Sequence, residues 1–275
     1  MIDRMTDAAN LRYQYGDSEK LRIRYEAHVR YSEQSPDWHG IFIEALGIVP
    51  GTSIIDVGCG HGKIHPRLAQ AGAEITGIDA SPGMVAEARQ QAEREHLPVT
   101  VLEGDAQQLP FPDDQFDAAL CSHMLYHVPD IRKALTEIRR VVKPGGRVLI
   151  STNAADHCAR LNDLHAQAAR ELGYVPAVGN GEEARFSLES LPLVRDVFPD
   201  VKLHPLPNAF IFPTVDAALS YYVSGRIDAI QRRADETSHR EPLLIRMRQL
   251  IGEIMDREGV FRVSKNAGYF LATAS

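Results

Sequence analysis

The segment Asp56-Val57-Gly58-Cys59-Gly60-His61-Gly62 combines residue types and a spacing that could do chemistry. It directly follows the apolar run Ser53-Ile54-Ile55. A strand there leads into a turn whose three alternate glycines bend tightly and let bare backbone approach a ligand, with the start of the next helix pointing at it. A nicotinamide or flavin fingerprint requires GxGxxG, but Lys63 stands where its third glycine would fall. The acidic Asp56, two positions before the first glycine, is awkward beside a pyrophosphate and suits a cation. Histidines form the second group. His123 and His127 are four apart, as are His61 and His65, but no HExxH glutamate accompanies them, so a proton-transfer role for His123 or His127 is preferred to a metal. Cys59 and Cys121 sit in strand-end motifs and read as small apolar fillers.

These residues need a scaffold, and the pattern between positions 53 and 152 supplies one. Short β-branched runs at 53–57, 74–78, 99–102, 116–121 and 147–151 alternate with helix-period segments. Ser81 caps a helix carrying Met84, Val85, Ala88 and Ala92 on one face. Asp130 caps another, with Ile131, Ala134, Leu135, Ile138, Val141 and Val142, and Pro144-Gly145-Gly146 is expected to stop it. Such alternation implies a parallel sheet covered on both faces, with ligands beyond the carboxyl ends of its strands. Trp38, Ile41, Phe42, Ala45 and Leu46 predict a packing helix ended by Gly47. The stretch 11–31 holds four tyrosines. After Thr152 the rhythm breaks. A helical segment at 154–173 precedes a loop with Gly179 and Gly181, a helix is expected at 188–198, and 201–212 is strand-like but broken by Pro205 and Pro207. Amphipathic helices follow around 215–223 and from Pro242, and 260–274 ends as a strand or hairpin with a turn at Asn266-Ala267-Gly268.

Composition sets the outer bounds. Lys and Arg total 30 against 37 Asp and Glu, a net charge of −7 without basic blocks, which argues against nucleic-acid partners. Hydrophobic residues at 44% and charged residues at 24% are those of an ordinary globular protein. The three cysteines form no CxxC pair and fit a reducing, cytoplasmic compartment. No apolar run reaches membrane-span length, and residues 1–10 lack the apolar core of a signal peptide.

The glycine turn resembles the first motif of class I S-adenosylmethionine-dependent methyltransferases, and four later motifs follow in order over roughly 48–153: Asp79 closing Thr76-Gly77-Ile78-Asp79, Gly104-Asp105-Ala106, Phe116-Asp117-Ala118-Ala119-Leu120-Cys121-Ser122-His123, and Lys143-Pro144-Gly145-Gly146. The last is similar to the small-molecule branch that includes quinone-biosynthesis enzymes. The resemblance implies an α/β fold, a Rossmann-like doubly wound sheet of seven mostly parallel strands with one antiparallel, and an inserted helical cap. It implies S-adenosylmethionine as cofactor, with Asp56, Gly58, Cys59, Gly60, Gly62, Asp79, Ala80, Asp105, Ala106, Ser122 and His123 around it. In this reading Asp79 accepts the ribose hydroxyls, Asp105 and the Ala106 amide bind adenine, and the end of the fourth strand borders the methionine part, while Asp117, at the opposite end of that strand, is structural. His123 or His127 is the candidate general base.

The expected organisation is a helical lid over 1–47, a cofactor-binding core over 48–153, a helical insertion over 154–187, core again over 188–212, a helical cap over 213–258, and core strands over 259–275. Phe210, Phe212, Tyr221, Tyr222 and Met247 suggest an apolar organic substrate, although stripes of this kind also serve helix packing. The function expected is methyl transfer to carbon or oxygen of a small hydrophobic metabolite. An NAD-dependent oxidoreductase and a noncatalytic cofactor-binding subunit are the alternatives. Whether the chain forms a homo-oligomer is left open.

Overall fold

A computed structural model describes residues 18–177, 185–231 and 237–275. Tyr13 and Tyr15 of the tyrosine-rich stretch, and the loop glycines Gly179 and Gly181, lie outside the described residues. The chain divides into two units: a sheet unit of Pro36–Asn153, Phe186–Leu206 and Ala267–Ser275, and a helical unit drawn from residues up to Ser35, Ala154–Arg185 and Pro207–Asn266.

The sheet unit carries strands β1 (Ser53–Val57), β2 (Glu74–Asp79), β3 (Val99–Glu103), β4 (Phe116–Ser122), β5 (Val142–Asn153), β6 (Val201–Leu206) and β9 (Ala267–Thr273), ordered β3-β2-β1-β4-β5-β9-β6. Neighbours from β3 to β5 pair in parallel, whereas β9 runs antiparallel to both β5 and β6. This is the Rossmann-like, seven-stranded arrangement with one reversed strand that the motifs imply. The chain leaves β1 first toward β2 and β3, then crosses back to β4 and β5, so the topological switch point falls between β1 and β4, where ligands of such sheets bind. Ile54, Ile55 and Val57 of β1 are fully buried, as a central strand covered on both faces requires.

The helices of this unit begin where side-chain caps are available. Ser81 accepts from the Met84 amide at the start of the helix Pro82–Arg94, which buries Val85, Ala88 and Ala92. Asp130 accepts from Lys133 at the start of Ile131–Val141, which buries Ala134, Leu135, Ile138 and Val141. That helix does not run into Pro144. It ends at Val141, and β5 begins at once. Pro144-Gly145-Gly146 instead occupies an irregularity in the β4–β5 pairing, where the register jumps between Phe116↔Val142 and Ala118↔Arg147. Gly145 is left-handed there, and a Cβ on Gly146 would meet the Asp117 carbonyl at 2.7 Å.

At the amino edge of the sheet, Asp117 accepts from the Ser53 amide (2.9 Å), the Ser53 hydroxyl (2.6 Å) and Lys143 Nζ (2.6 Å). It ties β1, β4 and β5 together, the structural role expected of it. The hydrogen bond from Lys143, then those from Ser53, pull its carboxyl from 3.8 to about 2. A group depressed in the folded state contributes stability above its unfolded pKa and loses it as pH falls toward the folded one. Asp117→Asn should therefore lower stability at pH 7 by about 1 kcal/mol, discounted because the pair is half exposed. It should also flatten the decline in Tm between about pH 4 and 2. Thermal unfolding across that range is the check, and an unchanged acid limb would remove the tie.

The helical unit contains α-helices Ser18–Tyr31, Ala159–Glu171, Val215–Gly225 and Arg240–Glu258, and the antiparallel pair β7 (Ala209–Phe212) and β8 (Phe261–Ser264). Its core includes Phe210, Phe212, Tyr221, Tyr222, Leu243, Met247, Ile251 and Phe261. The aromatic and methionine side chains expected to line a substrate pocket are thus packed against one another. His165 is buried among them; its Nε2 donates to the Ala229 carbonyl at 2.9 Å, so its Nδ1 accepts from the Tyr222 hydroxyl at 2.7 Å. Burial lowers its pKa.

The strand-like stretch 201–212 divides between the two units. Pro207 has no amide hydrogen with which to continue a ladder, and Asn208 fixes the change of direction. Its amide donates to Asn266 Oδ1, and its own Oδ1 accepts from the Gln34 and Ala209 amides. Likewise β8 pairs with β7, so of the C-terminal segment expected in the core only β9 enters the large sheet. Ala267 and Gly268, expected in a turn, are the first residues of β9.

Candidate functional site

The turn after β1 is shaped by three left-handed glycines: Gly58 (φ 69°), Gly60 (φ 55°) and Gly62 (φ 78°). They do three different jobs. A Cβ on Gly58 would lie 2.6 Å from the Met124 side chain, which follows β4 and crosses over the turn. A Cβ on Gly62 would lie 2.6 Å from His65 Nδ1. Only at Gly60 would a Cβ meet nothing within 4 Å. Gly58 and Gly62 thus serve close packing, and Gly60 is the position of the three where the missing side chain leaves open space.

His65 explains the fate of Asp56. The two are almost completely buried, and His65 Nε2 donates to Asp56 Oδ2 at 3.1 Å. The imidazole also approaches Gly77 of β2, where an added Cβ would be 3.1 Å from Cε1. Asp56 thus does not present its carboxylate to a cation on the ligand edge; its side chain is spent on bracing the loop through His65. Sequence reading paired His65 with His61 at helical spacing and gave it no role, because the match between an imidazole and two glycines on different elements has no sequence signature.

Four of the loop's amides are committed internally. Gly58 and Cys59 both donate to the Ile78 carbonyl (2.7 and 3.1 Å), Gly62 donates to Cys59, and Gly60 donates to Asp79 Oδ2 at 2.8 Å. The Cys59 amide is thus engaged within the fold. Its thiol packs near Val85, Ala88 and Val101, and burial raises its pKa, as burial does for Cys121. These amides form no cradle for a pyrophosphate, which needs N–H groups aimed outward.

Asp79 ends β2 at the carboxyl edge. Its Oδ1 accepts from Ser81 and its Oδ2 from Gly60, which leaves each oxygen one further lone pair for a hydroxyl donor. Ala80 beside it is exposed. Asp105, beyond β3, is also exposed, and its Oδ1 accepts from the Gln107 amide. The Gln107 side-chain amide donates to both Asp105 oxygens, and its carbonyl accepts from Asp130. Gln107, overlooked in the sequence, thus orients the acid. Ala106 is buried. At the end of β4, Ser122 Oγ lies 3.1 Å from Ser151 Oγ. The His123 amide donates to the Ser151 carbonyl, and His123 adopts a left-handed φ of 52° with its ring edge-on to Trp38. His127 closes a 3-10 turn, Leu125–His127, against Tyr126. The two histidines therefore do not share the face of an α-helix. A groove at the opposite, amino edge is lined by Ser53, Glu74, Thr100, Asp117 and Lys143, the last two of them ion-paired.

The sheet, with a glycine-kinked turn at its switch point and an acid closing the adjacent strand, defines a Rossmann-like ligand-binding domain. Residues 55–150, about a third of the chain, match the family model described as a methyltransferase domain. The chain is 36% identical over 118 residues to the demethylmenaquinone methyltransferase of Renibacterium salmoninarum, covering 43% of this chain and 48% of that one. It is 41% identical over 110 residues to the ubiquinone biosynthesis O-methyltransferase of Alkalilimnicola ehrlichii, covering 40% and 44%. The chain thus spans about half the length of the curated relatives it matches. The fold is shared with the crystal structure of a putative methyltransferase from Bacillus halodurans (TM-score 0.60, 18% identity, 87% of this chain and 99% of that one). The YcgJ protein of Bacillus subtilis is similar to a like degree (TM-score 0.59, 20% identity, 86% and 97%). Among the described residues no helix is long and apolar enough to cross a membrane.

Proposed function

We propose that the chain is an S-adenosylmethionine-dependent methyltransferase acting at carbon or oxygen of a small hydrophobic metabolite. The observation that carries this reading is the loop after β1: its amides at Gly58, Cys59, Gly60 and Gly62 are spent within the fold, while Gly60 faces open space beside Asp79. Such a loop suits a ribose-bearing cofactor without phosphate and disfavours a dinucleotide. Asp79 would hold the ribose hydroxyls, the Asp105–Ala106 turn the adenine, and the Ser122–His123 end of β4 the amino-acid part. When bound, S-adenosylmethionine supplies an activated methyl group on its sulfonium. What remains for the protein is to align the acceptor, exclude water and take its proton. Relatives named for quinone substrates make hydroxylated aromatic acceptors the first to try. A cytoplasmic location belongs to the same proposal and rests on the three free cysteines; independence from nucleic acid rests on the acidic net charge.

The test is incubation with methyl-labelled S-adenosylmethionine and a panel of quinols, phenols and β-dicarbonyl acids. Labelled organic product supports the proposal, and cofactor binding without transfer to any acceptor favours a noncatalytic subunit. The proposed base has its own test. Glutamine keeps size and hydrogen bonding but does not titrate near neutrality, so His123→Gln or His127→Gln should lower kcat by about 10²- to 10⁴-fold with cofactor affinity within a few-fold. The rising limb of the pH profile should vanish with it. Wild-type kcat in both variants would leave alignment alone to drive the reaction.

A further inference from the structure

Lys265 lies in the short connection after β8, where its backbone amide donates to the Asn208 carbonyl at 2.9 Å. The residue is only 9% exposed. Its ammonium donates to Ser32 Oγ, lies 3.3 Å from His28 Nδ1, and sits 4.7 Å from the centre of the Phe210 ring. All three partners are neutral or can be, and among the described residues no carboxylate pairs with it. That is an unusual environment for a lysine, because a buried cation normally recovers its lost hydration from an anion.

The surroundings orient the amine without neutralising it. Ser32 accepts from Lys265 and passes its own hydroxyl hydrogen to the His28 carbonyl. His28 Nδ1, facing an ammonium, is the unprotonated ring nitrogen of that pair, and its ring packs edge-on to Phe210 with centroids 4.9 Å apart. Beneath them the floor is aromatic: Phe210 contacts Tyr221 at 4.7 Å and stacks on Phe212 at 5.3 Å. Cys158, 3.7 Å from the Tyr221 hydroxyl, is the remaining titratable neighbour. The floor is closed, since Phe210 and Phe212 are fully buried, but the side formed by His28 is exposed.

We propose that Lys265, with His28 and Ser32, forms a binding site for an anionic oxygen, a carboxylate or an ionised phenol or enol, carried on an apolar small molecule. The anion supplies the counter-charge the amine lacks, and the apolar body lies against the exposed ring of His28. Burial holds the Lys265 amine down at about 8, against a smaller opposing pull from Cys158. The site lies wholly within the helical unit, and its occupancy can be read without cofactor or turnover, so it stands or falls independently of the methyl-transfer proposal.

Equilibrium titration of the full chain with three naphthalene probes decides it. 2-Naphthoate carries a carboxylate, 2,4-dinitro-1-naphthol is an ionised phenol at neutral pH, and 2-naphthol is neutral. Wild type should bind at least one of the two anions about tenfold or more tighter than 2-naphthol, and which anion binds identifies the source of the charge. Lys265→Met keeps the apolar stem and should erase the preference; His28→Gln should weaken anion binding a few-fold. Equal affinities for anions and 2-naphthol, no anion binding at millimolar concentration, or a preference that survives Lys265→Met would overturn the assignment. Should Lys265→Met fail to fold, the wild-type ranking of the three probes decides alone.

Discussion

Gly60→Val is expected to abolish binding of S-adenosylhomocysteine, a loss of more than about 100-fold, or about 2.7 kcal/mol, in a protein that still folds. A Cβ at position 60 meets nothing within 4 Å, so a side chain there points into the space assigned to the cofactor. The cost to the fold comes from a β-branched residue at a φ of 55°, on the order of 1–3 kcal/mol. The neighbouring glycines should behave in the opposite sense. At Gly58 and Gly62 an alanine collides with Met124 or His65, so those variants should lose Tm first and affinity as a consequence. Calorimetric titration beside thermal unfolding separates the two classes. Normal binding by Gly60→Val would show that the open side of the turn is not where the cofactor lies.

The second large effect belongs to Asp79→Ala. A charge-assisted hydrogen bond to a ribose hydroxyl is worth about 1.5–3 kcal/mol, so losing even one should lower affinity for the cofactor on the order of 10- to 100-fold. The structure adds a consequence that a ribose role alone does not carry. Asp79 also receives the Gly60 and Ser81 amides, so its removal loosens the glycine turn and the entry to the following helix. A fall in stability of about 1–3 kcal/mol should accompany the lost affinity. Unchanged affinity in the folded variant would sink the assignment of Asp79.

What was legible in the sequence follows from how far each signal reaches along the chain. Caps at Ser81 and Asp130 act over three residues, and strands at the centre of the sheet are bounded by their own β-branched runs, so both were readable locally. The reversed strand β9 followed from the family resemblance. Pairings between distant segments were not readable. Asp56 looked like a ligand carboxylate because its partner, His65, is a histidine with other plausible roles nine positions away. Gly58 and Gly62 looked alike in the motif, yet only the crossing of Met124 and the seat of His65 show what each must avoid. The split of 201–212 between two sheets turns on Pro207 and on Asn208 bonding to Asn266 and Gln34. A proline signals a break in the ladder but not where the chain goes next.

The central claim is that the loop after β1 and the acid of β2 hold S-adenosylmethionine rather than a dinucleotide. Titration calorimetry of the wild-type chain with S-adenosylhomocysteine and, separately, with NAD is its most direct test. One S-adenosylhomocysteine is expected per chain and no measurable heat from NAD, because the amides of Gly58, Cys59, Gly60 and Gly62 are already spent on Ile78, Asp79 and Cys59. Saturable binding of NAD with none of S-adenosylhomocysteine would contradict it.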